Sequence, residues 1–122
     1  MLRTGAQSLD ETHRIALPGH TDIGAITLLF NVAGGLQMLP AGSEDNSSNW
    51  RYICPESGFA IIKVGDTLVE WTGGVLRSSL HCGVTAPGKQ IGIARQSFAY
   101  LVSAGHNGSI RRLRSKVIPA SR

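Results

Sequence analysis

The tripeptide His20-Thr21-Asp22 carries two side chains that could serve one metal ion. In an extended chain, positions i and i+2 point to the same side, so the imidazole and the carboxylate can converge. A third ligand must come from elsewhere, and His81 is the candidate, far along the chain in a stretch that reads as strand. Two histidines and one carboxylate on one face form a triad with three open coordination positions, an arrangement suited to iron(II) and O2. By itself the tripeptide says little, because a histidine is more often a satisfied polar residue than a ligand. Arg95-Gln96-Ser97 adds to it. Arg95 and Ser97 share a face by the same period of two, and a guanidinium beside a hydroxyl can hold a carboxylate through charge-assisted hydrogen bonds. Alone, that pair would read as an edge arginine. The order and separation of all five residues make the set specific. His13 and His106 read as exposed side chains with no part in it.

These residues need a scaffold of strands. Ile15 to Leu17 is a short apolar run before Pro18-Gly19, and from Ile23 to Phe30 the chain alternates, with Ile26, Leu28 and Phe30 on one face. Gly34-Gly35 reads as a turn that pairs Leu36 to Leu39 with the preceding strand as a hairpin. A polar loop over 40–49 follows, then strands at Trp50 to Ile53 and Phe59 to Val64. Asp66 reads as the N-cap of a short helix through Trp71, stopped by Gly73-Gly74. Arg77 to Val84 and the segment from Ile91 or Arg95 to Val102 complete the set, and a loose basic tail follows Ser103. Many short strands at regular spacing predict an all-β sandwich or barrel.

The sequence resembles the isopenicillin N synthase-like 2-oxoglutarate/Fe(II) oxygenases from about Ile15 to Val102. The residues that carry the likeness are the run from His20 to Phe30, Gly34 to Leu39, Val64-Gly65-Asp66-Thr67-Leu68, Trp71-Thr72-Gly73-Gly74, Arg77 to His81, and Arg95 to Tyr100. The resemblance implies a double-stranded β-helix, a jelly-roll barrel with a metal at its mouth. It implies Fe(II) held by His20, Asp22 and His81. It implies 2-oxoglutarate as cosubstrate, its distal carboxylate on Arg95 and Ser97, and O2 as oxidant. The expected activity is oxidation of a small organic molecule, by hydroxylation, desaturation or ring closure, with release of succinate and CO2. Two departures stand out. Cys82 follows His81 where the family usually has arginine, and reads as a small packing residue. The chain is also far shorter than family members, so the barrel is expected to be incomplete, its catalytic core at 1–103 and a basic tail at 104–122.

Bulk properties bound the alternatives. With 122 residues the chain holds one domain, and no apolar run approaches a membrane span. Residues 1–19 lack a signal-peptide stretch, which gives a cytoplasmic expectation. Cys54 and Cys82 form no CxxC or zinc-type spacing and read as reduced thiols. The net charge of +4 owes much to Arg111, Arg112, Arg114, Lys116 and Arg122. No aromatic residues interleave with them for base stacking, so a solvated segment is expected rather than a nucleic-acid surface. Two other functions compete with an oxygenase acting on a small-molecule substrate. A non-catalytic remnant has no chemical reason to keep all five site residues. A cupin-type binder has no need of Arg95 and Ser97.

Overall fold

The structure is a computed structural model that describes residues 2–3, 15–109 and 111–120; His13 and Arg122 lie outside that range. Among the described residues, eight strands, one short α-helix and a 3-10 turn at Gly88–Gln90 follow one another. The strands are β1 (Leu2–Arg3), β2 (Ile15–His20), β3 (Ile26–Asn31), β4 (Leu36–Met38), β5 (Arg51–Ile53), β6 (Ile61–Val64), β7 (His81–Val84) and β8 (Ser97–Val102); helix α1 spans Asp66–Trp71. They form two sheets, one ordered β1-β5-β4-β7-β2 and one ordered β6-β3-β8, and every pairing is antiparallel. The all-β, jelly-roll expectation is met.

The expected hairpin across Gly34-Gly35 does not form. β4 pairs with β5 and β7, whereas β3 pairs with β6 and β8 in the other sheet. The two glycines carry the chain from one sheet to the other. Gly35 has φ +101°, and a Cβ there would collide with the Val84 carbonyl oxygen, so only glycine fits this crossover. Pairing partners in such a crossover are set by three-dimensional closure, which a local turn signal cannot report.

Burial follows strand alternation. Along β3, Thr27 and Leu29 are buried while Phe30 is exposed. Ile26, Leu28 and Phe30 do share a face, but it is the outer one. Registered rows extend that face across the sheet: Val64 and Val102 flank Ile26, Ile62 and Tyr100 flank Leu28, and Phe98 lies beside Phe30. The Phe30 and Phe98 rings sit 6.2 Å apart. Ile62 is 69% exposed, Phe98 66% and Tyr100 60%, so an apolar surface stands uncovered among the described residues.

Helix α1 matches its expected bounds, but its cap differs. Gly65 occupies the N-cap position with no side-chain cap. The amides at the start of the helix bond instead to the backbone of the loop before β3. Asp66 N donates to Asp22 O at 2.7 Å, Thr67 N to the carbonyls of Ile23 and Gly24, and Gly65 N to Ala25 O at 2.8 Å. A Cβ on Gly65 would collide with Gly24 O, so glycine is required for this contact. The Asp66 carboxylate is thereby free to accept from Thr21 Oγ1 and from Ser78 Oγ, each at 2.8 Å. At the other end, Gly73 and Gly74 adopt positive φ and stop the helix. The segment after Ser103 is tied back to α1, where a loose tail was expected. Trp71 Nε1 donates to Ser109 O at 2.9 Å, and Leu113 N to Trp71 O at 2.8 Å.

Two outcomes follow. Asp66→Ala removes two hydrogen bonds to a carboxylate, each worth about 1.5–3 kcal/mol, so it lowers the midpoint of a urea melt; a midpoint equal to wild type would contradict this role. The outer face predicts that residues 1–122 produced alone self-associate. Phe98→Lys should reduce that association in sedimentation analysis, and a monomeric wild-type chain with a cooperative melt would refute the expectation.

Candidate active site

Both histidines of the predicted set come from adjacent strands of one sheet, and register places them side by side. His20 ends β2 and His81 begins β7, paired directly with each other. Their rings lie 4.3 Å apart. Asp22 follows in the loop that α1 clamps, which carries its carboxylate to the same point. Its Oδ1 is 3.5 Å from His81 Nε2 and 3.9 Å from His20 Nε2. One ligand atom from each of the three residues lies within 4.8 Å of the others.

The backbone fixes which imidazole nitrogen is offered. His20 Nδ1 donates to Pro18 O at 2.9 Å, and His81 Nδ1 donates to Ser79 O at 3.1 Å. A carbonyl oxygen can only accept, so each Nδ1 carries the proton, and the neutral ring then offers its Nε2 lone pair beside the carboxylate. Carbonyl partners of this kind orient metal-bound histidines. His81 is 5% exposed. Burial pulls its pKa below the ordinary value, with the nearby Lys63 ammonium acting the same way, and this keeps the ring neutral. Burial would raise the Asp22 carboxyl, but the Lys63 ammonium, with smaller help from Thr27 and His81, holds the group below its ordinary value. The donor set therefore fits a divalent metal: two imidazole Nε2 atoms and one carboxylate at one point.

Lys63 was not singled out in the sequence. On β6 it pairs with Thr27 of β3, an inward position, and its Nζ reaches 2.8 Å from both His81 Nε2 and Asp22 Oδ2. A cation thus already sits against two of the three ligand atoms. The signal available was a single lysine in the apolar run Ala60-Ile61-Ile62-Lys63-Val64, at a spacing that shares the face of Ile61.

Beside the triad lies a cavity of about 280 Å³ whose walls include His20, Asp22, Lys63, His81, Arg95 and Ser97. All five predicted residues therefore face one space. Arg95 Nε is buried and has no hydrogen-bond partner, and burial depresses the guanidinium's pKa. A buried guanidinium nitrogen with no partner is costly, so this wall suits a carboxylate. Ser97 Oγ donates to Asn31 Oδ1 at 2.7 Å. The hydroxyl oxygen still has lone pairs, but to donate to a ligand it must turn away from Asn31. Cys82 is buried, with Sγ donating to Gln37 Oε1 at 3.6 Å, and burial raises its pKa, which marks a packing thiol. Cys54 and Cys82 are both free, and His106 is exposed.

Comparison with known proteins agrees with this geometry. The 2-oxoglutarate-dependent dioxygenase iboH of Amanita muscaria is 35% identical over 103 residues, covering 84% of this chain and 49% of iboH. The 2-oxoglutarate-dependent dioxygenase frbH of a Dothideomycetidae species is 36% identical over 101 residues, covering 83% of this chain and 30% of frbH. The chain thus spans about half the length of the first relative and less of the second. Among solved structures, a full-length Neurospora crassa protein in complex with alpha-KG superposes with a TM-score of 0.70 at 28% identity, covering 82% of this chain and 32% of the Neurospora chain. Residues 5–104 match the 2OG-Fe(II) oxygenase superfamily, whose requirements are Fe(II), 2-oxoglutarate and O2, and the chain belongs to that family.

Proposed function

We propose that this chain forms the core of a Fe(II)- and 2-oxoglutarate-dependent dioxygenase acting on a small organic molecule. One observation carries the reading: two imidazole lone pairs and a carboxylate converge at the edge of a cavity whose wall holds a buried, unpartnered guanidinium nitrogen. In this reading His20, Asp22 and His81 hold iron(II), and Arg95 and Ser97 hold the distal carboxylate of 2-oxoglutarate. When bound, the metal and its cosubstrate supply O2 activation and oxidation of the substrate, with loss of CO2 and release of succinate.

The chain's own residues would do the positioning. Pro18 O and Ser79 O keep the histidines in the binding tautomer. Asp66 and the amides of α1 hold the Asp22 loop in place. Thr27, Leu29 and Leu36 are buried and give the cavity a floor that excludes water. The Neurospora crassa protein has been solved with thymine and with 5-formyluracil, which supports a small-molecule substrate in general without selecting one for this chain.

Two substitutions test the reading. His81→Ala leaves two ligands and should abolish stoichiometric iron after anaerobic reconstitution; iron content equal to wild type would remove His81 from the set. Arg95→Leu should weaken 2-oxoglutarate roughly ten- to a hundredfold, the equivalent of a charge-assisted hydrogen bond, while metal content stays the same. Anaerobic titration of the visible Fe(II)–2-oxoglutarate band measures it, and an unchanged titration would count against Arg95.

A further inference from the structure

Lys63 has no assigned part in the reading above, yet it is held at the triad. It also lines two spaces. One is the cavity with Arg95. The other, of about 180 Å³, shares Leu36, Lys63 and His81 with the first and is walled further by Met38, Ile53 and Ile61, with Ser79 and Arg77. Arg95 does not reach this second cavity, and Arg77 does not reach the first. Among the described residues, no acidic side chain lines the second cavity and Arg77 has no carboxylate partner. Among the same residues, the carboxylate paired with Lys63 is that of Asp22.

We propose that Lys63, assisted by Arg77, binds the carboxylate of an organic-acid substrate with an apolar body in this second cavity. The inference rests on the metal reading of Asp22. Once a divalent cation takes that carboxylate, an ammonium beside it faces a like charge and loses its anion. The four-carbon stem of lysine lets the ammonium swing to a new partner. On the Arg95 side, a dedicated cation is already present for the distal carboxylate of 2-oxoglutarate. On the other side two cations border an apolar space with no anion to match them. A small acid would place its carboxylate between Lys63 and Arg77, lay its body on Met38, Ile53 and Ile61, and so present a C–H bond beside the triad.

The test uses the purified chain loaded anaerobically with Co(II) and 2-oxoglutarate, with 4-methylpentanoate and its amide as probes. Calorimetric titration and the visible Co(II) spectrum give the readouts. Wild type should bind the acid at least about tenfold tighter than the amide, as expected for a charge-assisted contact. Lys63→Met should erase that preference, Lys63→Arg should retain it, and Arg77→Gln should reduce it. 2-Oxoglutarate affinity should stay within about twofold of wild type in Arg77→Gln, since Arg77 does not line the cavity assigned to the cosubstrate. Equal wild-type affinity for acid and amide would overturn the proposal. So would a Lys63→Met variant that keeps the wild-type preference for the acid. A wild-type chain that takes up neither Co(II) nor 2-oxoglutarate would overturn the oxygenase reading itself, and this inference with it.

Discussion

The site depends on a backbone contact in which no ligand side chain takes part. The amides of Gly65, Asp66 and Thr67 dock on the carbonyls of residues 22–25, and this is possible because Gly65 offers no side chain to the Gly24 carbonyl. The contact solves two problems together. It satisfies donors that a short helix would otherwise leave open, and it fixes the loop carrying Asp22 between strands of different sheets. The same crowding recurs at Gly24, where a Cβ would meet the Val102 carbonyl oxygen at 2.7 Å. The carboxylate is therefore placed by main chain, and main chain is less adjustable than side-chain packing.

The electrostatic order of the site follows from that placement. A buried carboxylate in a fixed position needs a cation, and Lys63 supplies one from the opposite sheet. Burial alone would favour a neutral acid, so the ionised state of Asp22 reflects its partner. His81, buried between carboxylate and ammonium, stays neutral and keeps its lone pair. Arg95 is the other cation facing the cavity and has no acid beside it among the described residues. The cavity thus has one pole that is compensated internally and one that is left for an incoming anion.

Much of this was legible in the sequence for local reasons. The spacing of His20 and Asp22, the helix between Asp66 and Trp71 and its glycine stop all lie within a few residues, where period and turn chemistry govern. His81, Arg95 and Ser97 joined the set through residue type, order and the strand period, and family likeness gave them their roles. Less legible were features that depend on distant partners. Alternation marked Ile26, Leu28 and Phe30 as one face but could not say which way it turned: the buried face carries Thr27, Leu29 and Asn31, and the more apolar face is the outer one. Asp66 resembled an ordinary cap, since Thr21 and Ser78 reach it only through tertiary structure. Lys63 carried only a faint local mark, one lysine in an apolar strand, and its inward position depends on pairing with Thr27 of another strand.

The order of β6-β3-β8 also bears on how the chain folds. β3 is central in its sheet, yet both neighbours are made after it, and β8 comes near the end of the described chain. Its ladder from Ile26↔Val102 to Asn31↔Ser97 is therefore a long-range closure, of the kind that slows folding. Until β8 arrives, β3 presents an unpaired strand edge and the apolar side chains of both faces. That interval is when a nascent chain is most exposed to pairing with another copy or to capture by a chaperone. The last strand thus completes the cavity wall that carries Ser97 and also ends the chain's most vulnerable period.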